Sequence, residues 1–230
     1  MMSNNPYTKI LFLDIETVSQ KSSYDELSQR MQNLWDKKSI RIRQSEEETP
    51  EETYKRAGIY AEFGKIVCIS IGYFHEDKFR VTAIYGDDER EILETFSRKI
   101  VNFNTLCAHN GKEFDFPYIC RRMLINGLKI PYILDVSGKK PWETAFLDTM
   151  EMWRFGDYKN YTSLELLTAV FDIPTPKDDI DGSMVGEYYW EKKEIERIAE
   201  YCKKDVIAIA QLFLRYKNLN LVDEENIIHV

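Results

Sequence analysis

The run KILFLDIET, residues 9–17, decides the fold of this chain. It is an almost unbroken apolar run of strand length that ends in acidic residues, a pattern typical of a central strand buried on both faces. Asp14 and Glu16 lie two positions apart at its exit. Their side chains therefore leave the same face of the sheet, about 7 Å apart along the strand.

These two carboxylates have no basic neighbour between Ile10 and Thr17. They would repel each other and take up protons unless a cation lay between them. A simpler explanation of an isolated DxE pattern is a strand that emerges into solvent. The motif alone therefore predicts no site.

The residues that follow this strand predict a mixed sheet. Residues 20–62 are polar and charged, and we interpret them as a surface insertion in which YDELSQRMQNLW (24–35) suits a helix. KIVCISIGYF (65–74) and FRVTAIYG (79–86) are rich in β-formers and predict an antiparallel hairpin. A helix that begins at Asp87-Asp88 then leads to TLCAHNG (105–111), a buried strand, which makes a βαβ crossover.

Further periodic segments complete an α/β fold. The pattern predicts helices at 116–126, 163–172 and 192–217, with a strand at FLDTMEMW (146–153). Three antiparallel strands followed by alternating helices and strands indicate a mixed central sheet, later strands parallel, with helices on both faces. With no Gly/Ser-rich or Pro-rich linker in residues 1–230, we predict a single domain.

Composition narrows the class of protein. Hydrophobic residues make up 43% and charged residues 30% of the chain, a globular balance. The first residues lack a signal-peptide core and no apolar run is long enough to cross a membrane, so we expect a cytoplasmic protein. The four cysteines form no CxxC pair and are interpreted as buried free thiols. A net charge of −8 argues against coating of nucleic acid by electrostatics but not against a nuclease, because bound metal restores local positive charge.

The long C-terminal helix carries an acid where its period predicts a core residue. Its apolar stripe passes through Cys202 and Ile209, and Asp205 falls on the same side. Tyr201 lies four residues before Asp205, one turn away on that side. We therefore predict that Asp205 faces inward with Tyr201 beside it.

A third group of candidate residues lies in AHNGKEFDFPYI, residues 108–119, where a strand gives way to a helix. Asp115 suits the N-cap of that helix because Pro117 follows in the first turn. His109 is more typical of a hydrogen-bonded core or edge histidine than of a ligand. If this strand is parallel to the first and adjacent to it, Asp115 reaches the edge that carries Asp14 and Glu16, where ligands of open α/β sheets collect.

Three segments together resemble the motifs of a known family. They are LDIET (13–17), HNGKEFD (109–115) and YCKKD (201–205), and they resemble the DEDD exonucleases, called DnaQ-like, which have a ribonuclease-H-like fold. The tyrosine four residues before the last aspartate matches the DEDDy branch. The residues in and around these motifs are most similar to the proofreading domain of family B DNA polymerases. The resemblance spans roughly residues 9–217.

The resemblance implies a 3'-5' exonuclease with two divalent cations, Mg²⁺ or Mn²⁺, held by Asp14, Glu16, Asp115 and Asp205. Tyr201 would orient the attacking water, because a phenol with a pKa of about 10 is a poor base at neutral pH. By the same analogy Asn110 and Phe114 contact the terminal nucleotide of a single-stranded or frayed 3' DNA end, although Phe114 also suits the core.

Two other functions and two minor features stay open. An exoribonuclease uses the same residues, and a catalytically silent nucleic-acid-binding module would retain the fold. Local cations, including Lys112, Arg122 and Lys140, could guide a strand toward the metals. The acidic cluster KDDIDG (177–182) is interpreted as a solvated loop rather than a third metal site.

Overall fold

The computed structural model describes residues 6–157, 159, 161–174 and 180–230. Its centre is a six-stranded sheet in the order β5-β4-β1-β2-β3-β6. The strands are β1 (Ile10–Ser19), β2 (Gly64–His75), β3 (Lys78–Tyr85), β4 (Thr105–Ala108), β5 (Phe146–Asp148) and β6 (Ile227–His229). The pairs β1–β2 and β2–β3 are antiparallel, whereas β4 is parallel to β1, β5 to β4 and β6 to β3. The predicted mixed sheet is confirmed.

Helices cover both faces of this sheet. They are α1 (Gln29–Ile42), α2 (Pro50–Tyr54), α3 (Glu89–Ile100), α4 (Asp115–Ile125), α5 (Thr149–Arg154), α6 (Leu164–Val170), α7 (Val185–Glu187) and α8 (Ile195–Tyr216), with a π-helical turn at Tyr188–Lys192 and 3₁₀ turns at Tyr24–Glu26, Ala57–Ile59, Pro141–Glu143 and Glu224–Asn226. Leu11 and Leu13 of β1 pack with α3 and α4. Phe12, between them, packs on the other face with α8. This alternation places Asp14 and Glu16 on the α8 face.

Two predicted strands are longer than the observed ones. TLCAHNG forms a strand only over Thr105–Ala108. FLDTMEMW was predicted as a strand throughout, and this is wrong, because the strand ends at Asp148 and the residues from Thr149 onward form α5. Asp148 ends the strand by capping that helix, since its side chain accepts hydrogen bonds from the backbone N–H groups of Met150 and Glu151.

The 20–62 segment is a small helical layer between β1 and β2. Its centre is Trp35, which is fully buried and donates to the carbonyl of Pro50 at 2.8 Å. The Trp35 ring packs against Phe63 with centroids 4.9 Å apart, and the backbone carbonyl of Phe63 accepts from Gln20 at 2.8 Å. The layer is thus attached where β1 ends and β2 begins.

A buried ion pair joins α3 to α4. The Glu89 carboxylate accepts from Arg122 Nε at 2.8 Å and from the Ile66 backbone at 2.7 Å. Arg122 Nη1 donates to the Ala61 carbonyl at 2.7 Å. The expectation that Arg122 could guide a strand is therefore wrong, because its side chain is buried and neutralises a carboxylate.

In the described parts of the chain, every helix is too short or too polar to cross a membrane.

Candidate active site

The site begins where β1 outlasts its neighbour β4. Their parallel pairing ends at Phe12 opposite Cys107, so β1 continues alone on that side. Asp14 and Glu16 follow directly and lie opposite Ser70 and Cys68 of β2. Glu16 is buried and Asp14 is half-buried. The parallel neighbours predicted from sequence are confirmed, and the acids lie at the carboxyl edge of the pair.

Asp115 does not cap α4 as the sequence predicted. It is the first residue of the helix, and its carboxylate accepts a hydrogen bond from the backbone N–H of Ile15 at 3.2 Å. That N–H lies beyond the end of β4, so Asp115 satisfies a donor that a longer strand would have paired. This hydrogen bond holds Asp115 against β1, at the residue that lies between Asp14 and Glu16.

A tight turn delivers Asp115 to this position. Asn110 has a φ of 59°, a left-handed conformation that asparagine tolerates better than most residues. Gly111 follows, and a Cβ added there would lie 2.3 Å from the Cβ of Ala108. The NG pair therefore lets the chain fold back over the end of β4.

The third element of the site is α8. Asp205 is half-buried and acts electrostatically on both Asp14 and Glu16, raising the pKa of each. Tyr201 hydrogen-bonds the Asp205 carboxylate. The structure thus brings Asp14, Glu16, Asp115, Asp205 and Tyr201 together from three distant parts of the chain.

Burial and mutual repulsion disfavour the charged forms of these acids. Burial raises the pKa of Asp14 well above its ordinary value, and the charges of Glu16 and Asp115 raise it further. Burial likewise raises the pKa of Glu16, with Asp205 the largest charge acting on it. Burial raises the pKa of Asp115 to about 7. These enclosed carboxylates favour a cation in their midst.

Tyr201 keeps its proton at neutral pH. Burial raises the pKa of its phenol above the ordinary value, and Asp205 and Glu16 raise it further. The phenol therefore acts as a hydrogen-bond donor rather than as a base.

Cys202 belongs to the site, although the sequence indicated only a buried thiol. Its sulfur lies 3.3 Å from Asp14 Oδ2, and ligand atoms of Asp14, Glu16 and Cys202 all lie within 4.8 Å of one another. Burial raises the pKa of the Cys202 thiol well above its ordinary value. The thiol thus serves as a weak hydrogen-bond donor to Asp14. Its place between Tyr201 and Asp205 in YCKKD was the signal in the sequence.

Asp148 is a second residue that sequence reasoning missed. Its buried carboxylate accepts from the backbone N–H groups of Asn110 and Lys112, both at 3.0 Å, as well as from those of α5. It therefore fixes the turn that carries Asp115. Asp148 lies within FLDTMEMW, but the interpretation of that segment as a continuous strand assigned no function to its carboxylate.

The remaining candidates have ordinary contacts. His109 is hydrogen-bonded by both ring nitrogens, to Thr149 Oγ1 at 2.9 Å and to the Thr162 carbonyl at 3.0 Å, as expected of a structural histidine. Phe114 is half-buried, with its ring 5.3 Å from that of Tyr118. Asn110 is also half-buried.

The KDDIDG cluster is described only in part. Lys177, Asp178 and Asp179 lie outside the described residues. Asp181 accepts from the Ser183 backbone at 2.8 Å, as in a polar turn.

The donor set fits hard divalent cations. In the part of the chain that the structure describes, Asp14 and Glu16 make no ion pair with a lysine or arginine. Carboxylate oxygens are the ligands that Mg²⁺ and Mn²⁺ prefer. A divalent cation bound there would stabilise the charged forms of these acids.

The raised pKa values predict how the metal-free protein responds to pH. A carboxyl group whose pKa is higher in the folded than in the unfolded state stabilises the fold below the unfolded pKa, about 4, and this stabilisation is lost as pH rises through the folded pKa. For Asp115 that window ends near 7. We expect the free energy of unfolding in EDTA to fall from pH 5 to pH 8, by about 1.4 kcal/mol for every tenfold difference in proton affinity between the folded and unfolded states.

Thermal unfolding in EDTA across this range measures the effect. Saturating Mg²⁺ or Mn²⁺ should remove most of the decline, because a cation that binds only the folded state stabilises it by about 3 kcal/mol at a hundred times its dissociation constant. If the free energy of unfolding in EDTA instead rises steadily up to pH 8, the carboxylates of this site do not repel one another as described.

Comparisons with known proteins point to one class. The sequence model of a family described as "predicted 3'-5' exonuclease related to the exonuclease domain of PolB" matches residues 59–227. That range includes HNGKEFD and YCKKD, whereas LDIET precedes it. The match covers more than half of the chain.

Two polymerases are similar to parts of this chain. A DNA polymerase of Pyrococcus glycovorans is 25% identical over 167 residues, an alignment that covers 63% of this chain and 21% of the polymerase. The solved structure of the family B DNA polymerase from the hyperthermophilic archaeon Pyrobaculum calidifontis matches with a TM-score of 0.53 and 15% identity, over 89% of this chain and 24% of that one. This chain thus spans about a fifth of the length of the curated relative and shares a fold with part of the second polymerase.

Proposed function

Because the chain belongs to the family of predicted 3'-5' exonucleases related to the exonuclease domain of PolB, we propose that it removes nucleoside monophosphates from the 3' end of single-stranded DNA. The observation that carries this proposal is the meeting of four carboxylates and one tyrosine at the carboxyl edge of β1 and β4. Asp14, Glu16, Asp115 and Asp205 are the proposed ligands of two divalent cations, Mg²⁺ or Mn²⁺.

The proposed cations supply the chemistry that the side chains lack. When bound, they activate water and neutralise the charge that develops on the attacked phosphate and the leaving 3' oxygen. Exonucleases of this family generally use divalent metals, and the acidic cluster suits them.

The side chains of the site hold the proposed metal ligands and the attacking water in position. Tyr201, whose single O–H proton is donated to Asp205, accepts a hydrogen bond from the attacking water through its hydroxyl oxygen and so orients that water. The Ile15 backbone N–H donates to one carboxylate oxygen of Asp115. This bond also fixes the direction in which the other oxygen of Asp115 points. Cys202 restrains Asp14 in the same way. The carboxylates are therefore preorganised before a substrate binds.

Asn110 and Phe114 are the proposed contacts to the terminal nucleotide. Both are half-buried; Asn110 lies in the turn that Asp148 fixes, and Phe114 follows that turn. Phe114 packs on the core and on Tyr118, and the part of its ring that stays exposed is available to a base. Stacking of a base on an aromatic ring is worth about 1–3 kcal/mol whatever the base. Such contacts suit an enzyme that removes whichever nucleotide is last.

DNA is proposed as the substrate because both similar proteins are DNA polymerases by name. Discrimination between DNA and RNA depends on contacts near the sugar 2' position. A matched RNA strand is therefore the natural comparison in the test.

A single assay tests metal dependence, polarity and sugar together. We expect 5'-labelled single-stranded DNA to shorten stepwise with Mg²⁺ or Mn²⁺ and to stay intact in EDTA. A 3'-labelled strand should release its label first as a mononucleotide. The RNA strand of the same sequence should be degraded more slowly. If neither metal supports release of mononucleotides from DNA or RNA, the proposed function is wrong; if RNA is the faster substrate, only the DNA assignment is.

A further inference from the structure

The 20–62 segment carries a basic stripe on the outer face of α1. We define this stripe as Arg30, Lys37 and Arg41, with Leu34 between them. At 100° of rotation per residue the three cations fall within about 40° of one another, and Leu34 lies within about 60° of each of them. Trp35 and Ser39, which are buried, lie on the opposite side of the helix. The stripe is therefore the face of α1 that points away from the protein.

The cations of the stripe are exposed, and no neighbouring carboxylate neutralises them in the described part of the chain. Within the described residues, none of the three has a carboxylate at ion-pair distance. The acid of the same helix, Asp36, faces elsewhere and accepts from the Tyr24 hydroxyl at 2.7 Å. The helix has a net charge of +3 in a chain whose net charge is −8. Three exposed cations in one row offer a surface to an anionic partner.

The segment is attached at the edge of the sheet that carries the acids. It leaves β1 after Ser19, only three residues beyond Glu16, and rejoins the sheet at Gly64 opposite Ser19. The carbonyl of Gly58, near its end, accepts from the hydroxyl of Tyr118 at 2.6 Å. Tyr118 lies one helical turn after Asp115 on α4. The segment is thus anchored to two of the elements that hold the proposed site.

We propose that the basic stripe binds the phosphate backbone of the single-stranded DNA whose 3' end lies at the acids. The proposal rests on the proposed function for the identity of the strand. Charge complementarity carries it, since phosphates are the repeating anions of the substrate. Two of the cations that the sequence offered near the acids are already paired. Lys112 pairs with Glu151, and Arg122 is buried with Glu89.

The spacing of the stripe suits an extended anion rather than a single ion. Along the helix axis Lys37 lies about 10 Å from Arg30 and about 6 Å from Arg41. The three cations thus form a row about 16 Å long, which matches several successive phosphates. Leu34, 44% exposed, adds apolar surface within that row.

The test compares two charge-reversal variants. The first is Arg30→Glu/Lys37→Glu/Arg41→Glu. The control is Lys78→Glu/Arg98→Glu/Lys99→Glu, which makes the same change of charge with exposed residues at the opposite edge of the sheet, where the β2–β3 turn and the end of α3 lie. Binding of labelled single-stranded DNA of about 20 nucleotides, longer than single-strand-binding domains usually cover, is measured in EDTA at several salt concentrations.

The stripe variant should bind at least about tenfold more weakly at low salt. The plot of log affinity against log salt has a negative slope, and this slope should become shallower by about 2, because each phosphate contact on a single strand contributes about 0.7. The control should keep most of the slope. An unchanged slope, as for a stripe that binds an acidic protein, or an equal loss in both variants overturns the proposal.

Hydrolysis separates this inference from the proposed function. A trinucleotide has only two phosphates between its sugars, too few to lie at the acids and along the row of about 16 Å at once. The stripe variant should therefore degrade it at the wild-type rate while degrading the long strand more slowly at limiting substrate. Equal slowing on both lengths overturns the inference. Failure of the wild-type protein to degrade either length is a separate result that counts against the proposed function.

Discussion

Replacing Asp14 by Asn should reduce mononucleotide release at least about a thousandfold, equivalent to about 4 kcal/mol of activation free energy. The amide keeps the size of the side chain but removes a charge from the centre of the proposed metal site. The same change should stabilise the metal-free protein at pH 8, because Asp14 is destabilised there by burial and by the charges of Glu16 and Asp115.

Loss of activity together with a gain in stability distinguishes a functional acid from a structural one. Thermal unfolding in EDTA measures the stability, and the 5'-labelled DNA assay measures the activity. A matched control is Asp77→Asn in the exposed β2–β3 turn, which should change neither. If the Asp14 variant retains more than a tenth of the activity, Asp14 is not a ligand of an essential cation.

Replacing Arg122 by Met should destabilise the protein by about 3–5 kcal/mol, the cost of leaving a buried charge without its partner. Glu89 would lose the donors Nε and Nη2, which lie at 2.8 and 2.5 Å. The Ala61 carbonyl would lose its Arg122 donor as well. The effect is measured as the free energy of unfolding in urea.

A double-mutant cycle and a surface pair provide the controls. The double variant Glu89→Met/Arg122→Met should be more stable than the Arg122 variant, because no charge is then buried alone. Arg90 and Glu94, an exposed pair on the same helix α3, offer a matched comparison. Arg90→Met should cost less than about 1 kcal/mol. If the two single variants at Arg90 and Arg122 cost the same, the buried pair is not a determinant of stability.

Local patterns were sufficient for the framework of this protein. An apolar run such as KILFLDIET has one favourable environment, the centre of a sheet, so β1 and the two acids at its end follow from it directly. The period of 3.6 residues placed Asp205 and Tyr201 on the inner side of α8, because helix geometry does not depend on the neighbours. The β2–β3 hairpin followed from its short connection, and the parallel pairing of later strands followed from a helical crossover.

Tertiary structure decided which local options were used. Asp115 could have capped its own helix, but the end of β4 leaves the Ile15 N–H unpaired, and that distant donor takes the carboxylate. Asp148 stops a strand that its neighbours would have continued, because four backbone N–H groups from two segments converge on it. Hydrogen-bond partners far away in sequence cannot be read from a local pattern.

The same distinction applies to charge. Arg122 and Arg41 are both helical arginines in the sequence, yet Arg122 neutralises Glu89 in the core and Arg41 lies exposed on α1. Cys202 was placed inside by its stripe, but only the packing of α8 on β1 brought its sulfur against Asp14. The sequence by itself determined the central strands and the long C-terminal helix, and the sides of them on which Asp14, Glu16 and Asp205 lie. Only the tertiary structure decided which of its charges and donors meet, because those energies depend on distances between residues that the chain keeps far apart.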